Sequence, residues 1–182
     1  DITKRKEAEE IVLYRANFDA LTDLPNRSLF DDRLVSVLAM ARRHQRSFAL
    51  MYIDLDFFKN VNDQFGHAAG DALLAEAGKR MEKCVREADT VARLGGDEFA
   101  LILSDLNHPG EVKEVAHRLN LSLAQPFELA EGRATVAASI GIAIYPADGA
   151  SDLLLRKAAD QALYAAKAAG RNTYCLASPI KD

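Results

Sequence analysis

The segment Arg93-Leu94-Gly95-Gly96-Asp97-Glu98-Phe99 stands between two apolar runs, Thr90-Val91-Ala92 before it and Ala100-Leu101-Ile102-Leu103 after it. Two short apolar arms around a glycine pair read as a β-hairpin, because the pair supplies the positive φ values that tight two-residue turns require. The tip also carries adjacent carboxylates, Asp97 and Glu98, beside glycines that leave the backbone bare to an approaching ligand. An ordinary solvated turn could contain the same residues, so the meaning of the hairpin depends on the rest of the chain.

Upstream, Phe48-Ala49-Leu50-Met51-Tyr52-Ile53 is a short continuous apolar run ending in Asp54-Leu55-Asp56, the pattern of a central strand that ends in acid. A short helix from about Phe57 to Gln64 and a longer one from about Ala68 to Val85 follow, separated by Gly66-His67. Downstream of the hairpin, residues 110 to 123 read as a helix, 134 to 144 as a strand, 151 to 168 as a helix and 172 to 176 as a last strand. Before the first strand, Asn26 caps a helix running to about His44, with Leu29, Phe30, Leu34, Val37 and Leu38 on its buried face. Residues 3 to 18 form a charged helix with Arg5/Glu9 and Lys6/Glu10 at i,i+4; it reads equally as a frayed terminal helix or a coiled-coil linker. From the first strand on, the order β-α-α-β-β-α-β-α-β predicts an α+β fold: a mostly antiparallel central sheet flanked by helices. Residues 1–18 are expected to be a linker helix, 19–177 one domain and 178–182 a tail. In such a sheet the end of the first strand and the hairpin tip lie side by side, so Asp54 meets Asp97 and Glu98.

Composition narrows the function. The chain has 182 residues, 49% apolar and 27% charged, and 23 basic against 27 acidic side chains leave a net charge of −4. That balance argues against a nucleic-acid polymer as partner, which would need a basic surface, but admits a small phosphorylated ligand. Cys84 and Cys175 form no Cys-x-x-Cys or Cys/His cluster, so neither a disulfide framework nor a zinc site is expected, and a reducing cytoplasm fits. No stretch approaches the ~20 apolar residues that span a bilayer; no direct membrane contact is expected here, and any anchor would lie outside this segment.

Carboxylates converging from separate strands repel one another unless a cation neutralises them. Magnesium suits such a site, since it takes hard oxygen ligands from one or two carboxylates and completes its shell with water and phosphate oxygens. Asp54 fits that role, whereas Asp56 reads as a cap on the helix that starts at Phe57. Lys59, Lys167 and Arg171 offer positive charge for phosphates; Lys167 and Arg171, at i,i+4 beside Gly170, are also ordinary helix C-terminal chemistry. The main-chain N–H groups of Phe57 and Phe58 add donors. Asn62 and Asp71 are candidates for base recognition, because an acceptor-only carboxylate matches the adjacent N1–H and amine donors of guanine and not adenine N1. Either could instead cap a helix, and His67 reads as a structural hydrogen-bonding residue.

Together these blocks resemble the GGDEF family of diguanylate cyclases. The resemblance rests on the hairpin, on Asp19-Ala20-Leu21-Thr22-Asp23-Leu24-Pro25-Asn26-Arg27, on Asp54 to Asp63, on Gly66-His67-Ala68-Ala69-Gly70-Asp71, on Ser139-Ile140-Gly141-Ile142-Ala143 and on Ala159 to Lys167 leading to Gly170-Arg171-Asn172. It runs in order from residue 19 to residue 172. It implies a palm-like sheet of the kind found in nucleotidyl cyclases and polymerases. It also implies condensation of two GTP into cyclic di-GMP and two pyrophosphates, by two-metal magnesium-assisted transfer across a homodimer of half-sites, with manganese as a substitute metal. Carried onto this chain, Asp54, the carbonyl of Leu55 and Glu98 hold metal, and Asp97 is either a further ligand or the group that helps deprotonate the 3′-hydroxyl. Asn62 and Asp71 read guanine, while Lys59, Lys167, Arg171 and the N–H groups of Phe57 and Phe58 hold phosphates. Arg86-Glu87-Ala88-Asp89 matches the family's R-x-x-D inhibitory product site, joined by Arg118 from the opposite subunit; alone, the motif is often a surface ion pair. Asp1 to Lys6 resembles the end of a PAS sensor domain running into its signalling helix, which makes an upstream sensor a partner. The alternative from another class is a catalytically silent module that binds GTP or cyclic di-GMP, including one half of a protein with an EAL phosphodiesterase domain.

Overall fold

The computed structural model describes residues 1–181. Its elements run α1 (Ile2–Asn17), α2 (Arg27–His44), β1 (Phe48–Asp56), α3 (Phe58–Phe65), α4 (His67–Lys83), β2 (Thr90–Gly95), β3 (Glu98–Leu103), α5 (Glu111–Ala124), β4 (Phe127–Leu129), β5 (Gly132–Ala134), β6 (Ala137–Tyr145), α6 (Asp152–Ala168) and β7 (Thr173–Leu176). The main sheet has strand order β2-β3-β1-β6-β7, antiparallel except for β6 beside β7. This is the mixed, mostly antiparallel sheet with flanking helices that the element order implied.

β1 sits at the centre, and every residue of it is buried except the half-buried Asp54. Its alternation feeds two cores. Ala49, Met51, Ile53 and Leu55 join Phe99, Leu101, Ile140 and Ile142 beneath α4 and α5, contacting Leu73, Met81, Val112 and Leu119. Phe48, Leu50 and Tyr52 join Ala100 and Ile102 beneath α2 and α6, against Phe30, Leu34 and Leu155. Asn26 caps α2 as expected, accepting from the Leu29 N–H at 3.1 Å. The Ser151 hydroxyl caps α6 in the same way.

Several boundaries differ from the sequence reading, for local reasons. The hairpin turn is Gly96-Asp97, not Gly95-Gly96: Gly95 pairs with Glu98, a bulge separates Arg93 from Gly95, and Gly96 takes φ 52° at the first turn position. α3 begins at Phe58 because Phe57 adopts the left-handed region at φ 60°. The expected strand at 134 to 144 starts at Ala137, and a small β4–β5 hairpin precedes it. α1 buries none of its residues, and Arg5 and Glu9 form the expected i,i+4 pair at 3.1 Å.

The chain enters the domain through a tight turn. Asp19 accepts from the Thr22 N–H at 2.9 Å, from the Thr22 hydroxyl at 2.7 Å and from Arg93 at 2.9 Å. Burial pushes the Asp19 carboxyl up, but the Thr22 and Arg93 donors outweigh it and hold the group below the ordinary aspartate range. Across the sheet, a methyl at Gly141 would lie 2.2 Å from the Leu163 nitrogen and 2.3 Å from the Ala159 carbonyl oxygen, so α6 packs directly on the β6 backbone.

Gly141→Ala should cost about 3 kcal/mol and lower Tm by roughly 6–12 °C, read by thermal unfolding; an unchanged Tm would mean α6 can lift off the sheet freely. Asp19→Asn should lose roughly 1–2 kcal/mol at neutral pH. Because the folded carboxyl titrates below its unfolded value, this stabilisation is complete above the unfolded value and disappears as pH falls through the folded one. The two melting curves should therefore converge in strong acid.

Candidate active site

Asp54 on β1 and Glu98 on β3 are direct partners in the antiparallel register. Tyr52 and Ala100, two residues away on the same strands, face α2 and α6, so alternation sends Asp54 and Glu98 to that side as well. The Leu55 N–H donates to the Asp97 carbonyl at 3.3 Å, stitching the hairpin tip to the strand end. Sequence positions 54, 97 and 98 thus come together as expected.

Lys167, in the last turn of α6, pairs with Asp54 Oδ2. The other oxygen, Asp54 Oδ1, is buried and has no hydrogen-bond partner. Burial raises the Asp97 carboxyl above its ordinary value, the neighbouring Asp54 and Glu98 charges add to that rise, and a backbone N–H and Lys167 oppose it. Among the described residues, no three His, Cys, Asp or Glu side chains gather closely enough to hold a metal by themselves. An orphaned carboxylate oxygen, a crowd of negative charge and an incomplete set of hard oxygen donors fit a cation that completes its shell from water and phosphate, as magnesium does.

The other expected residues divide. Asn62 on α3 lies against α4: a methyl at Gly70 would sit 1.8 Å from Asn62 Oδ1. Asp71, the residue after Gly70, is exposed, and neither Asn62 nor Asp71 caps a helix, since α4 is capped by the Gly66 backbone and Asn62 lies inside α3. Lys59 and Phe57 are exposed near the start of α3, while the Phe58 side chain is buried in the core. His67 is the exposed first residue of α4.

Arg171 stands beside a different acid, Asp56. Its Nε lies 3.8 Å from buried Asp56 Oδ1, and its guanidinium stands 5.2 Å from the centre of the Phe57 ring. Asp56 does not cap α3 either. It accepts from the Ser139 hydroxyl at 2.7 Å and the Asn172 N–H at 2.9 Å, tying β1 to β6 and to the turn before β7.

Arg86 and Asp89 are close partners within one turn. Asp89 accepts from the Arg86 N–H at 2.9 Å and the Ser104 N–H at 3.1 Å, and the Arg86 guanidinium reaches the Ser104 carbonyl at 2.9 Å and Glu111 at 3.4 Å. Arg118 lines the same cleft from the same chain and donates to the Cys84 carbonyl at 2.7 Å, so the cleft draws on both arginines of one subunit.

Sequence reasoning assigned no role to Arg93, although it opens the hairpin segment. Arg93 donates to Asp19 and, at 2.9 Å, to the Gly96 carbonyl, while its own N–H donates to the Pro25 carbonyl at 3.0 Å. The entering segment and the acidic hairpin are thereby joined through one guanidinium. The available signal was an Asp in the turn after α1 and an Arg just before Gly-Gly, 74 positions apart.

A family model described as diguanylate cyclase, GGDEF domain, matches residues 16–173. Among curated proteins, MucR of Pseudomonas aeruginosa, a bifunctional diguanylate cyclase/cyclic di-GMP phosphodiesterase, is 44% identical over 174 residues, covering 96% of this chain and 25% of MucR. The diguanylate cyclase TpbB of the same organism is 42% identical over 166 residues, covering 90% of this chain and 38% of TpbB. The chain thus spans between a quarter and two-fifths of the length of these relatives. The solved GGDEF domain of TpbB superposes with a TM-score of 0.86 at 40% identity, over 88% of this chain and 94% of that one. The coiled coil and GGDEF domain of DgcB from Caulobacter crescentus, in complex with c-di-GMP, superposes with a TM-score of 0.86 at 28% identity, over 96% and 93%. With the hairpin, its acidic partner strand and the surrounding fold in place, the chain belongs to the diguanylate cyclase GGDEF-domain family.

Proposed function

We propose that this domain condenses two GTP molecules into cyclic di-GMP with release of two pyrophosphates, as one half of a homodimer in which each subunit presents one GTP. The observation that carries the reading is the Asp54–Glu98 register pair with its buried, unpartnered Asp54 oxygen. The carboxylates that a silent module would have dispensed with are all present.

Asp54, the Leu55 carbonyl and Glu98 would hold magnesium, which would supply Lewis-acid stabilisation of the charge that builds on the phosphates. Asp71 on α4 and Asn62 on α3 would accept from and orient guanine. Lys59, Lys167 and the N–H groups opening α3 would fix the polyphosphate. Asp97 would be either a further metal ligand or the group that helps deprotonate the 3′-hydroxyl. Arg93 holds the hairpin that carries both acids, acting as a positioning residue. Arg171, standing beside Asp56 and Phe57, would add positive charge for the phosphates. An upstream sensor would act on this site through α1, whose last turn accepts from Asn26, next to the Pro25 carbonyl that Arg93 holds.

Cyclic di-GMP would inhibit at the Arg86–Asp89–Arg118 cleft. Arginine offers paired donors to phosphate or a guanine edge, but Asp89 already satisfies two backbone N–H groups, so Arg86 and Arg118 would make most of the contact.

Glu98 is exposed, so Glu98→Ala should fold normally while losing product formation on the order of 10³-fold, measured by chromatography after incubation with GTP and magnesium. Wild-type turnover in that variant would remove the metal-binding role from Glu98. Arg86→Ala should leave the initial rate near that of the wild type and shift the inhibition curve against added cyclic di-GMP about tenfold to higher concentration. Superimposable curves would reduce the motif to a surface ion pair.

A further inference from the structure

The carboxylate cluster already contains a cation. Asp54, Asp97 and Glu98 stand near one another at the hairpin; of the cations in the surrounding elements, Arg93 is bonded to Asp19 and the Gly96 carbonyl, Arg171 stands beside Asp56, and Arg27 shares the cleft with Glu98. Among the described residues Lys167 is the cation that pairs with Asp54, and it covers one oxygen while the other stays buried and unpartnered. A single ammonium thus covers half of a carboxylate whose second oxygen lacks a donor. The Lys167 side chain is one-third exposed and rises from the last turn of α6, so its four-carbon stem can swing outward without disturbing the helix. An ammonium is a compact point charge on a flexible stem and can exchange one anionic partner for another.

We propose that Lys167 is an intramolecular stand-in for the divalent ion: it neutralises Asp54 in the nucleotide-free protein and must be drawn off before metal can occupy that carboxylate. This rests on the GTP-and-magnesium reading above. The anion that draws Lys167 away is the polyphosphate of the nucleotide, so a single side chain couples the two ligands. Metal alone competes with Lys167 and binds weakly. Metal arriving with nucleotide finds Asp54 released, and each ligand strengthens the other by the same factor. Lys167 therefore opposes metal binding in one state and supports nucleotide binding in the next, whereas a purely phosphate-binding lysine would leave nucleotide-free metal affinity unchanged.

The test is calorimetric titration of Mn²⁺ into wild type, Lys167→Met and Lys167→Gln, first without nucleotide and then with saturating 3′-deoxy-GTP, which lacks the attacking hydroxyl. Without nucleotide, both variants should bind Mn²⁺ roughly fivefold to tenfold more tightly than wild type. With 3′-deoxy-GTP the wild type should gain affinity for Mn²⁺ by a larger factor than either variant. Equal or weaker nucleotide-free binding in the variants, or no detectable Mn²⁺ binding in any of the three, would overturn the proposal. Circular dichroism guards against misfolding, and two replacements of different polarity guard against the peculiarities of one. Incubation of wild type with GTP and magnesium separates the two readings: failure to form cyclic di-GMP alongside tightened Mn²⁺ binding would leave the stand-in role standing and remove the cyclase reading.

Discussion

The arrangement turns on one repulsion. The β1–β3 register sets Asp54 directly opposite Glu98, with Asp97 at the adjoining turn, so folding brings like charges together at the edge of an apolar sheet. Like charges opposed across strands destabilise the pairing, and burial of Asp54 increases the cost. What offsets it is the hydrophobic register on either side: Ile53 opposite Phe99 and Tyr52 opposite Ala100 continue into the two cores, and slipping by one residue would turn every one of these side chains to the wrong face. The acidic site is therefore held by packing that it does nothing to stabilise, the usual position of a functional cluster.

A second set of contacts keeps the hairpin tip from relaxing away from that strain. Arg93 bridges Asp19 and the Gly96 carbonyl, the Leu55 N–H holds the Asp97 carbonyl, and the bulge between Arg93 and Gly95 turns the tip toward β1. The same guanidinium fastens the segment that follows α1, which itself buries nothing against the domain. Movement of α1 thus has a short covalent and hydrogen-bonded route to the acidic tip, through Asn17, Asn26 and Pro25. Two residues further along the same face of β1, Asp56 plays the structural counterpart to Asp54. The two acids of one strand end part by their partners, Asp54 meeting Glu98 and Lys167 and Asp56 spent on Ser139, Asn172 and Arg171.

Much of this was readable in the sequence, and the readable parts share a cause: they depend on residues a few positions apart. The apolar run of β1, the Asn26 cap, the amphipathic helices and the glycine-punctuated hairpin are all local patterns. The motif blocks carried the family because their order along the chain is itself sequence information. Features that escaped the reading lack a local signal. Three-residue strands such as β4 and β5 are too short to show alternation, and the left-handed backbone of Phe57 runs against its own propensity. The assignment of the turn to Gly96-Asp97 required the bulge, which pairing alone reveals.

The side-chain partnerships needed the folded chain. Lys167 meets Asp54 across 113 positions, Asn172 meets Asp56 across 116 and Arg93 meets Asp19 across 74. Spacing on one helix gave Lys167 and Arg171 the same expected task, yet the helix ends at Ala168, and the left-handed residues Arg171 and Asn172 aim the second cation at a different acid. The sequence by itself determined the elements, their order and the family, because hydrophobic period, caps and turn residues act over one or two helical turns. Only the tertiary structure decided which acid each cation neutralises, and so which carboxylate oxygen is left without a partner, because ion pairing depends on distances that strand register and helix packing set.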